Sequence, residues 1–302
     1  MSIKGRQFLF LSSLSSTSIA GIWNKIVKII NFFSPANAVT LNNSSSVQTN
    51  PIFRFVSVAD TGTGGKDQFA VAEAMGRYFL KYPFDFVILG GDNIYEDGEI
   101  EKIEDVFEKP YKSLLEKEVK FYACLGNHDI RTENGDLELK YPGFNMAGRY
   151  YTFQYHPIQF FALDTNINAD WETELKWLEK ELSNSNTPWK IVFGHHPIYS
   201  SGMYGLNEDF IQTLTPLFKK YGVQLYINGH EHDYERTSSI NGTTYLICGA
   251  GGKQRPVGKS EWTEYSTSDF SFAAFDVYQD HIIVRGIDVN NRVFDEGIIK
   301  LS

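Results

Sequence analysis

Five short polar blocks, each at the end of an apolar run, constrain the fold of this chain more than any other feature. Each apolar run has the length of a β-strand, and the block begins where the run ends. The blocks are residues 60–62 (Asp-Thr-Gly), 91–95 (Gly-Asp-Asn-Ile-Tyr), 126–129 (Gly-Asn-His-Asp), 194–196 (Gly-His-His) and 229–232 (Gly-His-Glu-His). In open α/β sheets, ligand-binding groups gather in the crevice outside the carboxyl ends of the strands. The sequence therefore predicts an α/β fold that brings distant side chains together at one sheet edge.

Strand and helix patterns alternate along the chain. Residues 52–58, 86–89 and 119–125 are predicted strands, separated by predicted helices at 68–79 and 101–118, and this order favours a parallel sheet. The later predicted elements are a hairpin at 150–164, helices at 171–182 and 209–221, and strands at 189–193, 223–227, 272–277, 281–289 and 293–300. An α/β half followed by a strand-rich half indicates two mixed β-sheets packed face to face and flanked by helices, a four-layer α/β/β/α sandwich.

One catalytic domain is predicted over residues 51–302, because the length suits a single large α/β domain and the composition does not change along it. Residues 39–50 are rich in Asn and Ser and are predicted to form a flexible linker. Residues 1–38 carry basic but no acidic side chains, an apolar stretch, and a small-x-small sequence that ends at Ala38. These features predict an export signal that is cleaved after Ala38.

The export signal predicts a periplasmic or extracellular location. Residues 5–9 resemble a twin-arginine signal in which the first arginine is replaced. The alternative is an uncleaved amphipathic anchor, because Lys25 and Lys28 interrupt the apolar run and exclude an ordinary membrane-spanning helix. We expect no stable membrane insertion after processing.

The net charge of −9 argues against non-specific nucleic-acid binding. It does not exclude an anionic substrate, because bound metal ions reverse the local electric field. The two cysteines, Cys124 and Cys248, lie in apolar runs and are predicted to be buried thiols without a disulfide. The sequence leaves the oligomeric state open.

Histidine is concentrated in the polar blocks, since only His156 and His281 lie elsewhere. Together with carboxylates, a carboxamide and a phenol, these imidazoles suit hard to borderline ions such as iron, manganese and zinc. We therefore predict a dinuclear metal site in which Asp92, central among the blocks, bridges the ions. In extended backbone His230 and His232 would share one face, whereas a turn would direct them to different ions; we favour the second arrangement.

Two metal ions about 3.5–4 Å apart can clamp the attacking and leaving oxygens of an in-line phosphoryl displacement. The predicted site thus indicates hydrolysis of a small phosphate ester. Read in order as Asp-x-Gly, Gly-Asp-x-x-Tyr, Gly-Asn-His-Asp, Gly-His-x-Pro and Gly-His-x-His, the five blocks resemble the metallophosphoesterases, and specifically the purple acid phosphatases.

The resemblance implies seven metal ligands. A ferric ion would be held by Asp60, Asp92, Tyr95 and His232, and a divalent iron, zinc or manganese ion by Asp92, Asn127, His195 and His230. A phenolate stabilises the ferric state, and ferric iron ionises a bound water at lower pH than a divalent ion does. The resemblance therefore implies acid phosphatase activity, in which a metal-activated hydroxide attacks a phosphate monoester.

The resemblance also implies that His128 lies near the leaving group, where a protonated imidazole can donate a proton. Asp129 is expected either to orient His128 or to cap a helix. Animal members of the family carry a further substrate-binding histidine after the fourth block, but residues 200–204 contain none. His196 and Tyr204 are the candidates to bind substrate in its place, and packing beside a metal ligand is the alternative for His196.

Two other functions remain alternatives. One is a divalent-metal phosphodiesterase or nucleotide phosphatase of the same superfamily, because substrate choice depends on loops that motifs do not specify. The other is a non-catalytic module that binds metal or phosphate. Tyr95 favours the acid phosphatase. Outside the blocks, Asp164 is expected to be structural, and residues 249–252 (Gly-Ala-Gly-Gly) are expected to form a tight turn near the site.

Overall fold

The computed structural model describes residues 50–301. The predicted export signal, its cleavage site and the linker up to residue 49 lie outside the described residues. Among residues 50–301, none of the helices combines the length and the apolar character that a bilayer span requires.

Two mixed β-sheets form the centre of the described part of the chain. Their strands are β1 (Phe53–Val58), β2 (Phe86–Leu89), β3 (Lys120–Ala123), β4 (Tyr151–Tyr155), β5 (Ile158–Ala162), β6 (Trp189–Phe193), β7 (Leu225–Asn228), β8 (Tyr234–Thr237), β9 (Thr244–Cys248), β10 (Thr263–Thr267), β11 (Ser271–Val277), β12 (His281–Asp288) and β13 (Val293–Lys300). The first sheet has the order β13-β12-β11-β1-β2-β3, and the second has the order β10-β8-β9-β7-β6-β5-β4.

Each sheet contains a run of parallel strands. In the first sheet β1, β2 and β3 are parallel, with Val58 opposite Leu89 and Leu89 opposite Ala123. In the second sheet β5, β6, β7 and β9 are parallel. Because these strands are in register, the polar blocks that follow them emerge at the same edge of each sheet, as the sequence predicts.

Helices cover the outer faces of the sheets. They are α1 (Lys66–Lys81), α2 (Lys112–Leu115), α3 (Asp136–Lys140), α4 (Trp171–Asn184), α5 (Glu208–Thr213) and α6 (Thr215–Tyr221). The sequence marks two of their starts, because Asp170 caps α4 by accepting from the amide of Thr173, and Asn207 caps α5 by accepting from the amide of Phe210.

Two helices expected from the sequence are not continuous. Instead of one helix at 101–118 there are a 3₁₀ turn at Ile100–Lys102, a π-helical turn at Glu104–Glu108 and the single turn of α2. Pro110 lies between the last two, and a proline inside a helix lacks the N–H group and clashes with the preceding turn. The helix expected at 209–221 is divided into α5 and α6, with Pro216 in the first turn of α6, where proline is tolerated.

Three apolar layers hold the sandwich together. Between the sheets, the ring of Phe55 in the first sheet contacts that of Phe160 in the second with centroids 5.3 Å apart, and Trp189 is fully buried in the same layer. A second apolar layer joins the first sheet to α1, and a third joins the second sheet to α4 and α6. Burial of each such large side chain stabilises the fold by about 1.5–3 kcal/mol. The predicted four-layer α/β/β/α arrangement is confirmed.

Candidate metal centre

The carboxyl ends of both parallel runs meet at one end of the sandwich. Ala59, directly after β1, donates its amide hydrogen to the carbonyl of Cys248 at the end of β9 over 2.9 Å, which joins the first sheet to the second. Within the second sheet Gly194, directly after β6, donates to the carbonyl of Ile227 in β7 over 3.1 Å. The polar blocks that follow these strands therefore converge.

Four of the predicted ligands form a group around a phenol, which we call the Tyr95 cluster (Asp60, Asp92, Tyr95 and His232). The phenol oxygen of Tyr95 lies 2.9 Å from Oδ2 of Asp92, 3.1 Å from Oδ1 of Asp60 and 3.3 Å from Nε2 of His232. Asp60 Oδ1 is in turn 3.4 Å from His232 Nε2. These are the four residues expected to hold the ferric ion.

A second group, the His195 cluster (Asp92, Asn127, His195 and His230), lies beside the first. Nε2 of His195 is 3.2 Å from Oδ1 of Asn127, 3.2 Å from Nδ1 of His230 and 3.5 Å from Oδ1 of Asp92. Asp92 thus turns one carboxylate oxygen toward each cluster. His230 and His232 belong to different clusters, which is the arrangement favoured from the sequence.

The spacing within both clusters suits metal coordination. Ligand atoms that lie about 2.0–2.2 Å from one ion are about 3.0–3.5 Å apart around a tetrahedral or octahedral shell. The seven donor-atom separations given above run from 2.9 to 3.5 Å. The donors are also of the types that iron, manganese and zinc accept. The seven residues therefore fit a pair of ions that share Asp92.

Three of the nine non-glycine residues with positive φ in the described part of the chain are predicted ligands. Asp60, Asp92 and His230 have left-handed φ values of 57°, 52° and 69°, and each such residue costs about 1–2 kcal/mol. Local hydrogen bonds hold this geometry, since the amide of His230 donates to Asp60 Oδ2 over 2.8 Å and the amide of His128 donates to Asp92 Oδ1 over 2.9 Å. Strain held in this way is characteristic of functional sites.

Burial shifts the pKa values of the cluster side chains toward their neutral forms, which suits the histidines as metal ligands but opposes the carboxylate form of Asp60. Burial, followed by the nearby charge of Asp92, raises the pKa of Asp60. Burial also lowers the pKa of His195, and it lowers that of His232 to about 4, so both imidazoles keep a free lone pair at neutral pH. Cations between the clusters would offset the repulsion between the two carboxylates.

His128 lies at the edge of the Tyr95 cluster. Its Nε2 is 3.9 Å from Asp92 Oδ2, and its Nδ1 hydrogen bonds to the carbonyl oxygen of Glu96 over 2.5 Å. Asp129 fills neither of its two expected roles, because its carboxylate bonds to groups other than the His128 ring and the short turn Asp129–Arg131 has no side-chain cap. The Asp129 carboxylate instead accepts hydrogen bonds from backbone amides, including those of Asn93 and Gly126. Asp129 therefore joins two ligand-bearing loops.

The two candidate substrate-binding residues lie beside the His195 cluster. The ring of Tyr204 stacks on that of His230, with centroids 4.3 Å apart, and its side chain is 49% exposed. His196 packs 4.5 Å from the ring of His230, and its Nδ1 lies 2.9 Å from Oγ1 of Thr165. Both residues line a cavity of about 400 Å³ next to His230. Their role in substrate binding stays a prediction.

Sequence reasoning missed three charged residues at this site. Arg131 lies 3.2 Å from His128, Lys253 lies 3.6 Å from the centre of the Tyr95 ring, and Glu231 is fully buried. Lys253 is the first residue after the glycine-rich turn at 249–252, which was expected near the site, so the sequence could have placed Lys253 there as well. Glu231 lies inside the fifth block, between His230 and His232, and Arg131 lies two residues after the third block.

Outside the site, the structure bears on two further expectations from the sequence. Asp164 accepts hydrogen bonds from Asn166 and Arg149, which agrees with a structural role. Cys124 and Cys248 are both buried and free.

The sequence and the fold both have clear relatives. The calcineurin-like phosphoesterase family matches residues 53–234, which contain all five blocks. Purple acid phosphatase 7 of Arabidopsis thaliana is 31% identical over 234 residues, covering 66% of this chain and 70% of that protein.

Two solved structures share the fold. GAP50, the anchor in the inner membrane complex of Plasmodium, gives a TM-score of 0.74 at 22% identity, over 83% of this chain and 89% of that one. The purple acid phosphatase from yellow lupin (Lupinus luteus) seeds gives a TM-score of 0.67 at 19% identity, over 82% of this chain and 53% of that one. With the family match and the Arabidopsis relative, the chain belongs to the calcineurin-like phosphoesterases and, within them, to the purple acid phosphatases, which are phosphoric monoester hydrolases.

Proposed function

We propose that this protein is an acid phosphatase that hydrolyses phosphate monoesters at a dinuclear centre of one ferric and one divalent ion. The observation that carries the proposal is the pair of donor clusters sharing Asp92, one of them containing the phenol of Tyr95. A phenolate donor favours ferric iron, and ferric iron favours activity at acid pH.

In this proposal Asp60, Asp92, Tyr95 and His232 hold the ferric ion, and Asp92, Asn127, His195 and His230 hold the divalent ion. When bound, the ions would polarise the phosphoryl oxygens and lower the pKa of the attacking water. The protein's other contribution is orientation, because the loops that carry these ligands are fixed by hydrogen bonds to buried carboxylates.

His128 is proposed as the proton donor to the leaving group. The carbonyl of Glu96 accepts from Nδ1–H and so fixes the ring, with Nε2 3.9 Å from Asp92 Oδ2. In this structure Nε2 accepts from Arg131 Nη2 over 3.2 Å, so the proposed donor role requires that Nε2 is protonated and that Arg131 turns away from it. A proton on Nε2 can pass to the oxygen of the departing alcohol, which leaves as a neutral molecule. This role predicts that His128 matters most for esters with poor leaving groups.

The test compares p-nitrophenyl phosphate with its diester, bis(p-nitrophenyl) phosphate, across acid and neutral pH. We expect a strong preference for the monoester and a maximum at acid pH. Preference for the diester with divalent ions alone would contradict the proposal and support the phosphodiesterase alternative. Turnover of neither ester by protein that retains both metals would support the non-catalytic alternative.

The role of His128 has its own control. His128→Asn should keep both metals but lower kcat about 10²–10⁴-fold on an alkyl phosphate. His281→Asn is the matched control, because His281 also bonds through Nδ1 to a single acceptor, Asp280, but lies far along the chain on β12. Unchanged turnover in His128→Asn would remove His128 from the mechanism.

A further inference from the structure

Thr165 lies outside the five blocks but contacts both histidines of the fourth block. We propose that Thr165 is a positioning residue that holds the ring proton of His196 on Nε2, so that His196 donates a hydrogen bond to a phosphoryl oxygen and does not bind a metal ion. The identity of that ligand rests on the proposed phosphatase function. The position of the ring proton follows from hydrogen bonds within the protein and can be measured without that function.

The side chain of Thr165 is packed against the loop that carries the fourth block. Ala162 in β5 pairs with Phe193 in β6, and the two strands are parallel, so Thr165 and His196 each follow three residues beyond that pair. Thr165 is only 3% exposed. A Cβ on Gly194 would lie 2.6 Å from Cγ2 of Thr165, so the glycine lets the two loops approach this closely.

The hydroxyl group of Thr165 uses all of its hydrogen-bonding capacity. Its Oγ1 accepts from the amide of His195 over 3.1 Å and from the amide of His196 over 2.9 Å. A threonine oxygen has two lone pairs, and these two amides occupy both of them. The third contact of Oγ1, with Nδ1 of His196 over 2.9 Å, therefore uses the hydroxyl hydrogen. Because Nδ1 accepts, the proton of the neutral His196 ring lies on Nε2.

The neighbouring histidine has the opposite arrangement. Nδ1 of His195 lies 2.9 Å from the carbonyl oxygen of Gly90, which can only accept, so the ring proton of His195 lies on Nδ1. Nε2 of His195 then keeps its lone pair, and it is the nitrogen that faces Asn127 and Asp92. A metal-binding histidine commonly donates its other N–H group to a carbonyl in this way. The partner of Nδ1 therefore gives the two adjacent rings different functions.

The alternative for His196 is a third imidazole ligand. One ring nitrogen from each of His195, His196 and His230 lies within 4.8 Å of the other two, which is close enough to share an ion. With Nδ1 bonded to Thr165, His196 could bind an ion only through Nε2, and the Nε2 proton would first have to leave. His196 also lines the cavity beside His230. The geometry therefore favours an N–H group that is offered to a ligand in that cavity.

The first test is the long-range ¹H–¹⁵N NMR spectrum of the histidine rings at pH 8, in protein loaded with zinc, which is diamagnetic. We expect the His196 proton on Nε2 in wild type and in Thr165→Ser, which retains the hydroxyl group. Thr165→Val has a similar shape but no hydroxyl group, so the ratio of the Nε2–H form to the Nδ1–H form should fall about tenfold, the effect of one hydrogen bond. The missing signals of His196→Phe assign the ring.

Two controls accompany this spectrum. His281 is the internal reference, because its Nδ1 lies 2.7 Å from the carboxylate of Asp280 and should keep its proton in every variant. Thr237→Val is the matched control, since Thr237 is also buried and its Oγ1 accepts from the amide of Tyr245 over 3.0 Å. This variant should leave the His196 ring unchanged. A wild-type His196 with its proton on Nδ1, or with a nitrogen bound to zinc, would overturn the proposal even if Thr165→Val does not fold.

The second test measures metal content and the affinity for inorganic phosphate by calorimetry. His196→Phe should retain both metals and bind phosphate about tenfold more weakly, because one hydrogen bond to a charged group is lost. Thr165→Ser should bind phosphate as wild type does. Loss of a metal in His196→Phe would make His196 a ligand, and unchanged phosphate affinity would refute its donor role. Wild-type protein that binds two metals but no phosphate would instead overturn the phosphatase proposal, and the donor role with it.

Discussion

Replacing Asp129 by asparagine should loosen the two loops that carry predicted ligands. The buried carboxylate accepts from the amides of Gly126 (2.7 Å), Asn93 (2.8 Å) and Ile94 (3.1 Å), and from Nδ2 of Asn93 (3.0 Å). An asparagine side chain offers one oxygen and one NH₂ group, so at least one buried N–H group loses its acceptor. The loops after β2 and β3 would then no longer be joined as firmly.

The magnitude follows from two opposing effects. Leaving a buried donor without a partner costs about 1–3 kcal/mol, and loss of charge weakens the remaining bonds. In the other direction, burial and the charge of Asp92 raise the pKa of Asp129 to about 7, so removing its charge relieves part of a desolvation cost. We expect a net loss of about 2–3 kcal/mol in the free energy of unfolding. In a domain of this size that lowers Tm by about 4–12 °C.

The assay is thermal and urea unfolding of chelator-treated protein at pH 8, because bound ions would add their own stabilisation. Asp280→Asn is the control, since Asp280 is 84% exposed and its bond is to His281 alone. A change within about 0.5 kcal/mol in Asp129→Asn, the range of ordinary surface substitutions, would refute the argument that Asp129 joins the ligand loops.

Three further predictions follow from buried or crowded residues. Burial raises the pKa of Glu174 to about 9, so the stability that its proton provides is complete below about pH 4.5 and is lost as the pH rises toward 9. The difference in unfolding free energy between Glu174→Gln and wild type, measured by urea unfolding from pH 5 to 8, should therefore shift in favour of the variant by up to about 1.4 kcal/mol per pH unit. Unfolding free energies that change with pH in the same way in both proteins would contradict this. Glu231 accepts a hydrogen bond from the amide of Tyr204 over 2.6 Å, so Glu231→Ala should free the Tyr204 loop. We expect KM to rise by a larger factor than kcat falls. A fall in kcat as large as the rise in KM would place Glu231 elsewhere in the mechanism. Gly91 has φ +86°, and a Cβ there would lie 2.6 Å from Nδ1 of His195, so Gly91→Ala should lower the content of divalent metal by elemental analysis; full content would show that the loop adapts.

The meeting of the polar blocks could be predicted because apolar runs of strand length end directly before them. In-register parallel strands then place Asp60, Asp92 and Asn127 at one edge and His195 and His230 at another. The division of these residues into two clusters followed from the family resemblance rather than from spacing. The assignment of ligands to particular ions stays a prediction.

The errors were local. The acidic stretch at 101–118 was predicted as one helix through Pro110, and the helix at 209–221 was extended through Pro216, although proline disfavours a helix interior. The roles of Arg131 and Glu231 could not be read from the sequence, because each depends on contacts with loops distant in the chain. The contacts that these two side chains make follow only from the tertiary structure.

The central claim is that a tyrosinate binds ferric iron in the Tyr95 cluster. The most direct test is the visible absorption spectrum of protein purified from iron-supplied cells, compared with Tyr95→Phe and with Tyr204→Phe as the control. We expect a broad charge-transfer band that Tyr95→Phe abolishes and Tyr204→Phe retains. A wild-type protein with two bound metals and no such band, or a band that survives Tyr95→Phe, would contradict the account.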